Sequence, residues 1–136
     1  MREILFRGKA INRDRYAHYK YVNFRTDYKN GDWVYGLLTK KFDERFENLP
    51  AEMTNEDGIS GIDVDYKTIG QYTGLTDKNG KKIFEGDVII DNFFKLLPNK
   101  PHIATFYEAY RYGENEDLEF EIIGNIYDNP ELLNGE

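Results

Sequence analysis

The sequence predicts a mainly β protein whose antiparallel strands form a barrel-like or sandwich architecture with one or two short helices. Aromatic residues make up 15% of the chain, eleven of them tyrosines, and most fall in short alternating stretches. Alternation places successive side chains on opposite faces of a strand, and aromatic side chains suit a pleated, half-buried surface. Between these stretches stand Gly-, Asn- and Asp-rich breaks at the spacing that short strands need.

Taken along the chain, Ile4 to Lys9 reads as the first strand and Trp33 to Leu38 as the second, with the turn residues Asn30-Gly31-Asp32 between them. Lys41 to Leu49 places Phe42, Phe46 and Leu49 on one face before Pro50, which predicts a helix of two turns at most. Thr54 to Gly61 reads as a loop. Ile62-Asp63-Val64-Asp65-Tyr66 and Leu118-Glu119-Phe120-Glu121-Ile122 alternate apolar with acidic side chains, the pattern of half-buried antiparallel strands. Thr68 to Tyr72, Val88 to Phe94 and Ile103 to Tyr107 complete seven strands.

The firmest local feature is a hairpin at Thr76-Asp77-Lys78-Asn79-Gly80-Lys81, where Asn79-Gly80 supplies the positive φ angles of a primed turn. Gly86, between Glu85 and Asp87, lets the chain bend before the strand that begins near Val88. Tyr112 to Asp117 is a further loop, and Pro130-Glu131-Leu132-Leu133 fits a short helical turn with proline in its first position. One domain over residues 1–136 is expected, with a smaller barrel-like lobe from about residue 66 as a variant of that reading.

Composition narrows the functional classes. A chain of 136 residues suffices to bury a core without staples. With no cysteine, disulfide frameworks, thiolate metal sites and a cysteine nucleophile are excluded. The first nine residues hold only three consecutive apolar side chains, Ile4-Leu5-Phe6, too few for a signal peptide. No apolar run approaches a membrane span, and a soluble cytoplasmic protein without a membrane partner is expected. The net charge of -7 is divided: residues 1–41 hold ten Lys/Arg against four Asp/Glu, and residues 42–136 hold eight against twenty-one. An acidic body repels nucleic acid, whereas the basic segment could contact phosphate, an acidic partner or another copy's acidic face, the last of which implies self-association.

Several segments together resemble one family. Leu5-Phe6-Arg7-Gly8-Lys9, Trp33-Val34-Tyr35-Gly36, Thr68-Ile69-Gly70-Gln71-Tyr72-Thr73-Gly74-Leu75, Asp77-Lys78-Asn79-Gly80-Lys81, Ile83-Phe84-Glu85-Gly86-Asp87-Val88 and the run from Ile123 to Leu133 follow one another in order. In this the chain resembles the YopX family of bacteriophage and prophage proteins. The resemblance implies a small, β-rich, phage-encoded cytoplasmic protein that is oligomeric. It implies no catalytic residue, because the recurring positions are mostly glycine, asparagine, apolar and aromatic.

Motifs with chemical content are few. Gly74 to Lys82 departs from a phosphate-binding loop in glycine spacing, in Lys82 where Ser or Thr would hold a metal, and in lacking a following helix. As a calcium loop it fails at Lys81 and Lys82, which put cations where oxygen ligands and glycine belong. Ser60 lacks the glycine two residues after it that a nucleophile elbow needs, and His18 and His102 have no partner at metal-site spacing. Asp77, Glu85 and Asp87 are weak candidates for metal binding, with Asp91 as an additional ligand; Glu85 and Asp87 on one strand would share a face. Hydrogen bonding of a turn is the structural role of such carboxylates. No cofactor is expected.

Two binding surfaces stand out. Arg13, Arg15, Tyr16, Tyr19, Lys20 and Arg25 interleave cations with aromatic rings, as contact with unpaired nucleic acid requires. The acidic remainder of the chain opposes that reading. Trp33, Tyr35 and Tyr72 could serve a protein partner, since Trp and Tyr combine large apolar contact with a polar tip; the structural alternative is that they cover Gly36 and Gly70. The sequence therefore predicts a non-catalytic interaction protein that binds a host or phage protein and itself, with nucleic-acid binding as the alternative and a metal-dependent enzyme more remote.

Overall fold

The computed structural model describes residues 3–11, 28–40, 51–91, 100–107, 110 and 118–133. The chain divides into two compact units, Leu5–Ile69 and Gly70–Glu136, the latter with Met1–Ile4. The strand pairs within each unit are antiparallel. The expected helix at Lys41 to Leu49, the basic segment from Arg13 to Arg25, and Tyr112 to Asp117 lie outside the described residues.

In the Leu5–Ile69 unit, β1 (Phe6–Lys9), β2 (Trp33–Lys40), β3 (Ala51–Asn55) and β4 (Ile62–Val64) pair in chain order. The sheet curls until Ala10, just past β1, bridges Val64 in β4. Backbone hydrogen bonds from Ile11 N to Asp63 O and from Asp65 N to Lys9 O, each 2.9 Å, hold that approach. The register places Phe6 opposite Gly36 and Gly8 opposite Val34. These residues face inward, where Val34, Ala51, Met53, Ile62 and Val64 form the core with Ala10. Each large apolar side chain buried there contributes about 1.5–3 kcal/mol.

Two glycines let the backbones come this close. A Cβ on Gly8 would sit 3.2 Å from Val64 Cβ, and one on Gly36 would run into the Thr54 carbonyl. The aromatic ring opposite Gly36 is Phe6; Trp33 and Tyr35 point to the other face, which corrects the expectation that they cover it.

β3 was not foreseen, because Ala51-Glu52-Met53-Thr54-Asn55 is poor in β-branched and aromatic residues. Its place between β2 and β4 overrides that weak propensity. The loop expected from Thr54 begins only after Asn55, whose Oδ1 accepts from Asp57 N (3.0 Å) and Ile59 N (2.9 Å). β4 ends at Val64, and Tyr66 lies in a 3-10 turn, Tyr66–Thr68, because the Asp65 carboxylate accepts the Lys67 N–H at 3.0 Å. Thr68 Oγ1 accepts Lys9 N–H at 2.8 Å, tying this turn to β1.

In the Gly70–Glu136 unit, β5 (Gly70–Thr76) and β6 (Lys82–Phe84) form the expected hairpin. Its turn is not a primed one. Gly80 has φ of 84°, while no described non-glycine residue has positive φ. The connection is instead a wider loop closed by Asp77 N to Lys81 O at 2.7 Å and Gly80 N to Asp77 O at 2.9 Å. A three-stranded sheet of order β8-β7-β9 comprises β7 (Asp87–Asp91), β8 (His102–Ile103) and β9 (Phe120–Asn125). Its core gathers Ile83, Ile89, Ala104 and Phe120. β8 is shorter than the predicted Ile103 to Tyr107, and β9 starts two residues after the predicted Leu118. Pro130–Leu133 forms the expected helical turn, as a 3-10 turn. No helix among the described residues is long and apolar enough to cross a membrane.

The Gly36 contact yields a first prediction. Gly36→Ala should cost about 1–3 kcal/mol or more by overpacking against Thr54, measured as a lowered urea midpoint. Gly31→Ala, which meets no atom within 4 Å but sits at φ of 92°, should cost less. Equal losses would remove the steric account of Gly36.

Candidate functional site

The alternation that buries Gly8 and Val34 turns Arg7 and Lys9 of β1 to the opposite face of the sheet. Their register partners there are Tyr35 and Trp33. Lys9 Nζ lies 5.2 Å from the Trp33 ring centroid and Arg7 Cζ lies 4.4 Å from it. Arg7 is only 5% exposed. A guanidinium desolvated against an indole gains about 2 kcal/mol from the ring quadrupole, against roughly 0.5–1 kcal/mol at an exposed site.

Further along β2, Leu37 shares this face and is 54% exposed. It stands opposite Thr54 of β3. On β3 and β4 the outward positions are Glu52 and Asp63, which face each other in register. The outer positions are thus Arg7 and Lys9 on β1, Trp33, Tyr35 and Leu37 on β2, Glu52 on β3 and Asp63 on β4, and the Ala10–Val64 bridge brings β4 back beside β1. The sequence singled out Trp33 and Tyr35 but missed the other members. The signal for them is the register itself, which one strand read alone does not contain.

Tyr72 lies in the other unit. It is buried, its ring centroid 5.8 Å from that of Phe84, with Lys82 Nζ 5.5 Å from its own ring. Lys82 also pairs with Glu3 at 3.0 Å. Tyr72 therefore packs within its hairpin, and it does not cover Gly70, where a Cβ would meet the Glu85 carbonyl.

The three carboxylates proposed for metal binding each hold backbone. Asp77, 5% exposed, accepts through Oδ1 from Asn79 N and Lys81 N, both at 2.9 Å, and through Oδ2 from Ile122 N at 3.3 Å. One side chain therefore secures both the hairpin loop and β9. Asp87, 2% exposed, accepts Phe84 N–H through Oδ2 at 2.8 Å, and Glu85 Oε1 accepts Gln71 N–H at 3.0 Å. Glu85 and Asp87 do not continue one strand face, because Gly86 between them has φ of 92°. Asp91 lies 3.8 Å from His102 Nε2. No group of three or more ligating side chains converges among the described residues.

Burial opposes ionisation of Asp77. The amides of Lys81, Ile122 and Asn79, with the Lys81 ammonium, outweigh it and hold the carboxyl below its usual 3.8. A depressed folded value means that this carboxylate stabilises the fold fully above the unfolded pKa, and the contribution is lost as pH falls through the folded value. Asp77→Ala should cost about 2–4 kcal/mol at neutral pH, since three amides lose a charged acceptor. The variant should also lose less stability than the wild type when the urea midpoint is followed from pH 6 down to about pH 3. Parallel pH profiles would refute the role given to this carboxylate.

No curated protein matches the chain. Among solved structures it is similar to protein EF1440 from Enterococcus faecalis, known from a crystal structure, with 22% identity, 98% of this chain and 99% of that chain covered, and a TM-score of 0.47. Residues 5–134, which include the nine described strands, match the family described as YopX protein, and the chain belongs to that YopX family.

Proposed function

We propose that this chain is a non-catalytic interaction protein, phage- or prophage-encoded and acting in the host cytoplasm, that binds a protein partner through the outer face of β1 and β2 and self-associates. The observation that carries this reading is the outward row Trp33, Tyr35 and Leu37, with Leu37 54% exposed on the same face as Tyr35 and the cation-flanked Trp33. Large amphipathic side chains on a sheet form the kind of anchor that protein interfaces concentrate. Asp77, Glu85 and Asp87, the carboxylates that the sequence made candidates for chemistry, each accept a backbone hydrogen bond.

The test is affinity capture of the full chain from host lysate after nuclease treatment, compared with Leu37→Asp. A charge at this exposed position should change stability by no more than about 0.5 kcal/mol yet abolish capture of the specific partner. Capture unaffected by Leu37→Asp, with folding verified, would overturn the assignment of the face. Sedimentation at low and high salt reads the self-association, which should weaken as salt screens charge. A salt-independent monomer would remove that part of the reading.

Nucleic-acid binding is the second reading, favoured by one observation. Lys9 and Trp33 stand opposite each other at the end of β1 and the start of β2, and Arg13, Arg15, Tyr16, Tyr19, Lys20 and Arg25 lie in the chain that joins them. In that case, replacing Arg13, Arg15 and Lys20 together should reduce the salt slope of oligonucleotide binding by about two to three. An unchanged slope would eliminate it.

A further inference from the structure

The tripeptide Lys-Asn-Gly occurs twice in the chain, as Lys29-Asn30-Gly31 and as Lys78-Asn79-Gly80. Asparagine followed by glycine carries a reaction of its own. The glycine nitrogen can attack the asparagine side-chain carbonyl, because the glycine has no Cβ to obstruct the approach. The two copies are closely matched in structure. Both asparagines and both glycines are exposed, φ is 92° at Gly31 and 84° at Gly80, and no atom lies within 4 Å of a Cβ built on either glycine.

They differ in what holds the attacking nitrogen. Gly31 N–H donates at 2.9 Å to the carbonyl of Ala10, a core residue that bridges Val64 and itself donates to Asp32 O at 2.7 Å. Freeing Gly31 N therefore disturbs backbone anchored in the core. Gly80 N–H donates at 2.9 Å to Asp77 O, three residues back in its own loop. The neighbouring amides, Asn79 N and Lys81 N, both donate to Asp77 Oδ1 at 2.9 Å. Freeing Gly80 N requires only that this loop release Asp77, and openings confined to an exposed loop take far less free energy than openings of the core.

We propose that Asn79 is a site of spontaneous deamidation and isomerisation, gated by the hold of Asp77 on the hairpin loop, and that Asn30 is its protected copy. Hydroxide removes the Gly80 N–H proton, the nitrogen bonds to Asn79 Cγ, and the Cγ–Nδ2 bond breaks, Nδ2 leaving as ammonia with a proton from water. Water then opens the cyclic imide. Cleavage between the nitrogen and Cγ gives aspartate at position 79. Cleavage between the nitrogen and the backbone carbonyl carbon of residue 79 gives isoaspartate, with the chain routed through Cβ and Cγ. Nothing is oxidised or reduced: one amide and one water become a carboxylic acid and ammonia. Either product places a new negative charge two residues from the Asp77 carboxylate, and isoaspartate also lengthens the backbone between the two amides that Asp77 Oδ1 accepts. Because Asp77 Oδ2 accepts Ile122 N–H at 3.3 Å, loss of its grip on the loop reaches β9.

The experiment incubates the full chain in mildly alkaline buffer, folded and in urea, and follows aspartate and isoaspartate at positions 30 and 79 by peptide mapping with mass spectrometry. In urea the matched tripeptides should react at closely similar rates. In the folded chain both should slow, with Asn79 at least roughly tenfold faster than Asn30, the factor for an opening easier by about 1.4 kcal/mol. Asp77→Ala should raise the folded rate at Asn79 toward its value in urea and leave Asn30 unchanged. Asp77→Asn, which keeps an acceptor oxygen, should fall between, so the test survives if Asp77→Ala does not fold. Amide hydrogen exchange reads the same openings without the chemistry, and Gly80 N–H should exchange faster than Gly31 N–H.

Equal folded rates at the two sites, or a folded rate at Asn79 equal to that in urea, would overturn the gating. Product at Asn79 in urea but none in the folded chain would overturn the site. An unchanged Asn79 rate in both Asp77 variants would remove Asp77 as the gate.

Discussion

The register of β1 on β2 is the constraint on which the Leu5–Ile69 unit depends. Pairing Phe6 with Gly36 and Gly8 with Val34 places two glycines on the inner face, where the neighbouring strands leave no room for a Cβ. The same register pairs Arg7 with Tyr35 and Lys9 with Trp33 on the outer face. A slip of β1 by one residue would turn Arg7 and Lys9 to the inner face and Phe6 outward, because side-chain direction reverses at every residue of a strand. Core packing and the make-up of the outer face are thus two consequences of one alignment, and the glycines act on the outer face through the inner one.

In the Gly70–Glu136 unit the organising groups are polar. Asp77 and Asp87 are buried, yet each carboxylate accepts backbone N–H groups that the turns leave without strand partners. A buried carboxylate is costly unless it is well hydrogen-bonded, and backbone amides supply that compensation. Asp77 also spans a long stretch of sequence, joining the loop at Asn79 and Lys81 to Ile122 in β9. Acidity in this unit therefore has a structural component at these positions, apart from any role in solubility or association.

The division of charge along the sequence changes meaning once the units are known. Residues 1–41 are strongly basic and the remainder strongly acidic, but the compact units do not follow that boundary. Residues 5–69 balance eleven cations with eleven anions, whereas the other unit holds seven against fourteen. Of the basic head, the described residues include Arg7 and Lys9 beside Trp33, as well as Lys29 and Lys40.

The sequence by itself determined the β class, the hairpin at Asp77 to Lys81, the bend at Gly86 and the turn at Pro130–Leu133, because alternation, glycine and proline act through the local backbone. It also marked Trp33 and Tyr35 as residues of interest. It did not reveal β3, whose Ala, Glu and Asn carry little strand preference and whose conformation is imposed by β2 and β4 on either side. Nor could it assign Tyr72 to packing against Phe84, or Asp77 to the amide of Ile122, since these partners lie far along the chain. The grouping of cations, aromatic side chains and carboxylates on the outer face was equally hidden. It arises from the lateral order of four strands, and that order is decided by which inner faces can bury one another.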